Sequence, residues 1–212
     1  METLLQQLMH LTRLDKSKVE PIMSYMKPIK VPAKKTLLKP DAISNTVWFV
    51  GNGVLRAYHT IQEEKRMSEL KSGEFLEREI TSWIVAEGGF LTDIRSFLHQ
   101  TPATSYIETL EPSKLYRLCF EDYLSIHRAH PDIARVLFEN TMIMADLRVK
   151  MCCFRNPMNR LRMFEKMYPG MSGRISVALQ ASYLNVDPAT LSRLRGKAMM
   201  EASASDMPIT SS

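Results

Sequence analysis

The chain has 212 residues, of which 45% are hydrophobic and 24% are charged, and these proportions are ordinary for a globular protein with a substantial core. No apolar run approaches the ~20 residues that a transmembrane helix needs, and no basic cluster precedes an apolar stretch at the N-terminus, so neither a membrane span nor a signal peptide is predicted. Three cysteines, Cys119, Cys152 and Cys153, are too few for a disulfide framework, so we expect a cytoplasmic protein.

The net charge of +5 is concentrated near the C-terminus. Residues 155–197 contain eight basic and two acidic side chains, so the rest of the chain is close to neutral. A basic segment of this kind indicates a nucleic-acid partner, although a solvated basic helix face has the same composition. The motif within the segment must therefore decide between a nucleic-acid partner and a solvated helix face.

Two short amphipathic helices are predicted over residues 2–14 and 16–26, because leucines recur at helical spacing in the first of them. From about residue 30 to residue 120, short apolar segments alternate with turn residues such as Gly88-Gly89. The predicted strands are Lys35–Leu38, Val47–Val50, Val54–Tyr58, Trp83–Val85, Tyr106–Leu110 and Leu115–Leu118. This spacing predicts an antiparallel roll or sandwich, and helical character returns at Phe120–His127.

A long helix is predicted from Pro131 to the Asn156-Pro157 pair, because proline fits the first turn of a helix and the residue before a proline disfavours its continuation. Within it, apolar residues and one asparagine recur in alternating steps of four and three, which is the pattern of a coiled-coil seam. The seam positions are Ile133, Leu137, Asn140, Met144, Leu147, Met151 and Phe154. We interpret them as a parallel dimer interface in which Asn140 pairs with its twin; packing against the chain's own domain is the alternative.

The segment from Ile175 to Lys197 has the pattern of a helix, a three-residue turn and a second helix. Ser176 can cap the first helix, Asn185 tolerates the left-handed conformation of a helix end, and Asp187-Pro188 is typical of a helix start. In a DNA-binding helix pair the second helix enters the major groove, where Arg193 can form two hydrogen bonds with guanine. The predicted DNA-contacting residues are Ser176, Ser182, Pro188, Ala189, Thr190, Ser192, Arg193, Arg195 and Lys197, the last two assigned to phosphates. A helical hairpin with an exposed basic edge is the alternative.

This segment resembles the Crp/Fnr family of bacterial transcription regulators, in the form typical of Bacteroidetes. The residues Ala181–Arg195 carry the resemblance, together with Trp48–Tyr58 and Phe90–Leu98. It implies an α+β protein with a cyclic-nucleotide-binding-like β-roll at residues 1–130, a dimerisation helix at 131–156 and a winged helix-turn-helix at 157–212. It also implies a homodimer that binds a palindromic double-stranded DNA operator, with RNA polymerase and an unidentified small-molecule effector as further candidate partners.

The sequence departs from the family where a cyclic nucleotide would bind. Members that bind one use a glutamate for the ribose and an arginine for the phosphate, whereas Asp93 and Ala103 stand at those positions here, beside Thr104. A buried phosphate without a cation is costly, so we expect no tight binding of cyclic AMP or cyclic GMP. Asp93, Ala103 and Thr104 remain the expected lining of a pocket for another effector.

Metal and enzyme chemistry are not indicated. No cysteine precedes Cys119, which argues against the N-terminal iron–sulfur cluster of oxygen-sensing members, and the histidines lack metal-ligand spacing, so no cofactor is expected. The adjacent Cys152 and Cys153 are expected to be buried at the dimer face. The sequence has no nucleophile elbow, P-loop or catalytic carboxylate pair, so an enzyme is not expected.

Two features keep a second function open. Gln180 stands at a helix position that is usually apolar, and the segment after Lys197 is small and polar, without the alternation of a wing hairpin. We expect that segment to be frayed and the wing to be short or missing. A ligand-sensing β-roll protein with degenerate DNA binding is therefore the alternative to a sequence-specific regulator.

Overall fold

The computed structural model describes residues 2–64 and 75–205; the side chains at 2, 3, 63, 64, 75, 76, 137 and 201–205 lie outside that description. The chain divides into two compact units, residues 1–146 and 147–212. The division lies inside the longest helix, between the domain boundaries that the sequence predicted at residues 130 and 156.

The N-terminal helices cover one side of the first unit. Helix α1 spans Glu2–Thr12, helix α2 spans Lys16–Val19, and a 3₁₀ turn follows over Glu20–Tyr25. Leu4 and Leu8, one helical turn apart, are buried against side chains that include Phe49 and Tyr116 of the sheet. The second predicted helix therefore exists only as α2 and the 3₁₀ turn, in whose first residues a proline removes one backbone donor.

The described residues contain eight strands: β1 Lys27–Val31, β2 Thr36–Leu38, β3 Thr46–Asn52, β4 Leu55–Glu64, β5 Phe75–Val85, β6 Phe90–Leu91, β7 Tyr106–Thr109 and β8 Ser113–Cys119. They form two four-stranded sheets, with orders β1-β8-β3-β6 and β2-β7-β4-β5. Every pairing between these strands is antiparallel. The predicted α+β class with an antiparallel sheet domain is confirmed.

The space between the two sheets is a packed hydrophobic core. Val50 and Leu115 of one sheet and Leu55 and Ile107 of the other are almost fully buried in the same cluster, and Ala103 joins them. Two tryptophans pack at the margin of this cluster. Apolar side chains from both sheets therefore fill the space between them. This packing buries the inward-facing side chains of the strands.

The sequence analysis missed strands β1 and β6 and predicted β4 and β5 too short. Strand β1 was not predicted, because prolines stand within it at Pro28 and just after it at Pro32; β1 is an edge strand, where a proline is tolerated. The hairpin of β4 and β5 is longer than predicted, because their outer halves carry polar residues and lack an apolar run. The short strand β6 pairs with β3 and forms the start of the segment Phe90–Leu98, which carries part of the family resemblance.

Three helices follow or interrupt the strands of the first unit: α3 Ile94–His99, α4 Phe120–Ala129 and α5 Pro131–Cys153. Helix α5 begins at the predicted proline and has 23 residues. It ends before Phe154, the last predicted seam position.

Three of the seven seam residues are engaged within the chain, as the alternative expects, while the dimer interface itself stays a prediction. Ile133 is buried with the N-terminal helices, and Met151 has no exposed surface. The side-chain amide of Asn140 donates to the backbone carbonyl of Leu11 at 3.0 Å, so it is engaged without a twin. Met144 and Leu147 are half-buried, and the side chain of Leu137 lies outside the described residues. The alternative, packing against the chain's own domain, accounts for these contacts.

The second unit is helical throughout its described part. After the end of α5 it contains α6 Pro157–Met167, a 3₁₀ turn at Met171–Gly173, α7 Val177–Leu184 and α8 Pro188–Ser205. The expectation that the chain frays after Lys197 is wrong, because α8 continues to Ser205 through residues that favour helix, such as alanine and methionine. No strand occurs between residues 147 and 205, so the wing that the resemblance implies is not found there.

Candidate nucleic-acid interface

Helices α7 and α8 are joined by the three residues Asn185, Val186 and Asp187. The hydroxyl oxygen of Ser176 accepts a hydrogen bond from the backbone N–H of Leu179 at 3.2 Å and caps α7, as predicted. Asn185 ends α7 in the left-handed region, with φ 52° and ψ 55°, and its N–H bonds back to the helix. The local sequence therefore forms the predicted helix, turn and helix.

Arg160 of α6 fixes the end of α7. Its guanidinium donates to the backbone carbonyls of Leu184 and Asn185 at 2.9 and 3.1 Å. A cation at this position complements the negative end of the helix dipole and supplies donors for carbonyls that lack helical partners. Sequence reasoning assigned no role to Arg160, which lies in another helix and 24 residues before Leu184.

The core beneath the helix pair is apolar and aromatic. Ala181, Tyr183, Leu184 and Leu191 are almost fully buried, and the small side chain of Ala181 lies where the chain returns, since its carbonyl accepts the N–H of Val186 at 3.0 Å. This burial leaves one face of α8 to solvent. The exposed residues on the first three turns of α8 are Pro188, Ala189, Ser192, Arg193, Gly196 and Lys197, and Thr190 is half-buried.

Arg193 lies on this exposed face and its guanidinium is directed back toward the start of α8. Its Nε donates to the carbonyl of Ala189 at 3.3 Å, and an Nη lies 3.4 Å from the hydroxyl of Thr190. These contacts are exposed and easily exchanged, so they place the guanidinium near the N-terminal end of the helix without burying its charge. The predicted set Ala189, Thr190 and Arg193 is thus brought together on one surface.

Arg195 does not share that surface. An Nη of Arg195 donates to the side-chain oxygen of Gln180, and to the backbone carbonyl of Ser172 at 3.3 Å. This placement differs from the predicted phosphate contact of Arg195, because the guanidinium of Arg195 is turned toward α7 and toward the 3₁₀ turn that precedes α7. The signal that could have indicated this is Gln180 itself, a polar residue at a position where the helix pair requires burial.

Tyr183 and Tyr168 form the aromatic part of the second unit, with hydroxyl oxygens 3.3 Å apart. Burial raises the pKa of Tyr183, and it also raises the pKa of Tyr168. Both phenols therefore remain neutral at ordinary pH and can share a hydrogen bond. The guanidinium of Arg148, in the last turns of α5, lies over the ring of Tyr183.

The expected effector residues lie together at the start of α3. The carboxylate of Asp93 accepts the backbone N–H of Ser96 at 3.1 Å and the backbone N–H of Thr104 at 3.3 Å. Ala103 is buried, and its N–H donates to the carbonyl of Ala42 at 2.8 Å. Asp93 is thus the N-cap of α3, and its oxygens already accept the donors that an anion would use.

Metal-ligating side chains are not clustered in the described part of the chain. Within residues 2–64 and 75–205, no group of three or more histidine, cysteine or acidic side chains could hold a metal ion. Cys152 and Cys153 are free thiols that are exposed in the single chain, so their burial at a dimer face stays a prediction. None of the helices described is long and apolar enough to cross a membrane.

Comparison with solved structures shows a shared architecture. The fold is similar to that of solved bacterial regulators and of a solved cyclic-nucleotide-binding domain. The catabolite activator protein of Thermus thermophilus is similar at 21% identity, over 92% of this chain and 88% of that chain, with a TM-score of 0.51. FixK2 of Bradyrhizobium japonicum has 14% identity over 84% and 86% of the two chains and a TM-score of 0.62.

A third similar structure is the c-di-GMP-responsive global regulator CLP of Xanthomonas campestris, with 13% identity, coverage of 89% and 93%, and a TM-score of 0.59. At these identities the likeness shows the fold alone. No protein-family model matches the sequence, and no curated protein matches it.

Proposed function

We propose that the chain is a sequence-specific, DNA-binding transcription regulator of the Crp/Fnr type, located in the cytoplasm, and not an enzyme. The observation that carries this proposal is the exposed face of α8, on which Arg193 stands beside Ala189 and Thr190 after a capped three-residue turn. A helix presented in this way can enter the major groove with its N-terminal half against the base edges. The excess of basic residues from 155 to 197 supports the same partner.

The residues then have distinct roles. Arg193 reads a guanine, and Ala189, Thr190 and Ser192 contact neighbouring base edges or methyl groups. Lys197 lies further along the exposed face and contacts phosphate. Ser176 and Ser182 of α7 donate to phosphate, and the N-terminus of α7 attracts it through its unpaired N–H groups.

Self-association is part of the proposal, but on a different stripe from the predicted one. Phe138, Met142, Ile143 and Val149 of α5 are between 53% and 60% exposed, an unusual degree for large apolar side chains. Phe138 and Met142 are four residues apart, so they lie on one helix face of the first unit. We propose that this stripe contacts a second copy, which gives the two-fold symmetry that a palindromic operator requires.

The sensor half is proposed not to respond to cyclic AMP. Asp93 already accepts two backbone N–H groups, and the buried Ala103 offers no cation for a phosphate. Another small-molecule effector near Thr104, and RNA polymerase as a partner, remain part of the proposal.

The alternative function, a roll that senses a ligand and has lost DNA binding, depended on Gln180 and on the missing wing. Gln180 has hydrogen-bond partners in the structure, so it is no longer a sign of degeneration. The lack of a wing strand within residues 147–205 still favours the alternative, because that stretch supplies no wing contacts to phosphate. A direct binding experiment separates the two functions.

The experiment selects double-stranded DNA from a random pool on the purified full chain at moderate salt, and sequences what is retained. We expect a palindrome, and Arg193→Ala should lower the affinity for it by about 1–3 kcal/mol, with relaxed specificity at one position of each half-site. Arg128→Ala, which removes an exposed arginine of α4, is the charge-matched control and should retain full affinity. Retention of no palindrome, or equal losses in both variants, would contradict the proposed function.

A further inference from the structure

Gln180 and Arg195 form a polar pair inside an otherwise apolar helix junction. The side-chain oxygen of Gln180 accepts from an Nη of Arg195, and its side-chain nitrogen donates to the hydroxyl of Ser172 at 3.1 Å. The same Nη of Arg195 donates to the backbone carbonyl of Ser172. Three segments therefore meet at one point: the 3₁₀ turn before α7, α7 itself and α8.

Burial makes these hydrogen bonds consequential. Gln180 is 0% exposed, and the Nε of Arg195 is buried without a partner among the described residues. A buried amide that loses its partner retains the full desolvation cost, whereas replacing both partners by apolar groups is close to neutral. Gln180, which has no exposed surface, therefore depends on Arg195 as its partner, while Arg195 itself is half-buried.

The position of Arg195 on α8 also controls Arg193. Successive residues of an α-helix are rotated by about 100°, so two residues are separated by about 200° around the axis. An inward Arg195 therefore requires Arg193 to face outward, on the side opposite α7. The fully buried Leu191 fixes the same rotation from the apolar side of α8, and Arg195 adds a polar contact to it.

We propose that Gln180 and Arg195 are positioning residues that set the rotation of α8 against α7, and that Arg195 is not a phosphate ligand. This inference rests on the proposed function, since it concerns how Arg193 is presented to DNA. It predicts that Arg195 contributes to DNA affinity through the geometry of α8 and not through its charge.

The test compares Gln180→Leu, Arg195→Leu and the double variant on the duplex that wild type selects. Each single variant should lose about tenfold in affinity, because one buried polar group is left unpaired, and the double variant should recover most of that loss. A phosphate ligand could not be replaced in this way. The salt dependence of binding should be unchanged in Arg195→Leu, whereas Lys197→Ala, the matched control, should lower the slope by about one counterion.

The inference is overturned if the double variant binds no better than Arg195→Leu, or if Arg195→Leu itself lowers the salt slope by about one. Chemical unfolding of the same four proteins gives an independent readout. If the two substitutions have non-additive effects on the free energy of unfolding, the result supports the pair of Gln180 and Arg195. Additive effects exclude the pair. If wild type selects no duplex, the proposed function fails, while the unfolding data still decide whether the two side chains depend on each other.

Discussion

The guanidinium carbon of Arg148 lies 3.8 Å from the centre of the Tyr183 ring. Arg148 belongs to the last turns of α5, and Tyr183 lies in α7, so the stack joins the end of the long helix to the helix pair within one compact unit. Tyr183 is completely buried, which removes the ring from water and strengthens its attraction for a cation. The end of α5 is therefore a structural part of the second unit.

We expect Arg148→Met to lower the free energy of unfolding of this unit by about 1 kcal/mol, because methionine keeps an apolar chain over the ring but removes the cation. Arg155→Met, at an exposed position just after α5, is the control and should change stability by less than half as much. Equal effects of the two substitutions in chemical denaturation would show that the stack contributes nothing specific.

Stability should fall in alkaline solution because of Tyr168 and Tyr183. Burial raises the pKa of both phenols above the ordinary value of 10.0, so the folded chain retains protons that the unfolded chain releases. The stabilisation is complete below pH 10 and is lost as the pH rises further, by up to about 1.4 kcal/mol per pH unit for each tyrosine.

Denaturation at several pH values above 10, with phenolate absorbance as a second signal, measures this loss. Tyr168→Phe should remove part of the slope and leave the contribution of Tyr183. A slope identical to that of wild type would contradict the assignment.

Asp93 should contribute to stability as a helix cap and not as a ligand-binding group. Asp93→Ala is expected to cost about 1 kcal/mol, and Asp93→Asn less, because an asparagine oxygen can still accept the N–H of Ser96. Cyclic AMP should leave the melting temperature of wild type unchanged, since only a ligand that binds the folded state raises it. A clear increase with cyclic AMP would refute the expectation for this roll.

Met142→Asp should give a monomer and abolish operator binding at the same protein concentration. The substitution places a charge on the exposed stripe of α5, where an apolar contact with a second copy is proposed. Light scattering after size exclusion measures the mass, and Ser125→Asp, on the exposed surface of α4, is the control. A Met142→Asp protein that remained dimeric would contradict the proposed interface and favour one that contains the half-buried Met144 and Leu147.

The sequence was most informative where local chemistry determines structure. The cap at Ser176, the left-handed Asn185 and the start of α8 at Pro188 follow from the conformational preferences of those residues, and the structure has all three. Strand β1 was missed because an edge strand can contain a proline, and only the order of strands in the sheet identifies an edge.

Spacing could not determine which partner a residue chooses. The seven-residue repeat of α5 is compatible with a second chain or with the chain's own core, and Asn140 bonds to the carbonyl of Leu11 because α1 happens to lie beside it. In the same way, Arg195 and Lys197 are both basic residues of the predicted recognition helix, so the sequence alone assigns them the same role. Only the side-chain contacts separate a cation that is turned inward from one that is presented to solvent.

The length of α8 limits how it can meet DNA. Its 18 residues extend about 27 Å, whereas the major groove is about 12 Å wide, so less than half of the helix can lie between the two phosphate backbones. The part beyond Gly196 must project out of the groove, and it carries Met199 and Met200, which are 72% and 75% exposed. In the proposed DNA complex, base readout would reside in the first two turns of α8, Lys197 would lie at the edge of the groove, and Met199 and Met200 would lie beyond it.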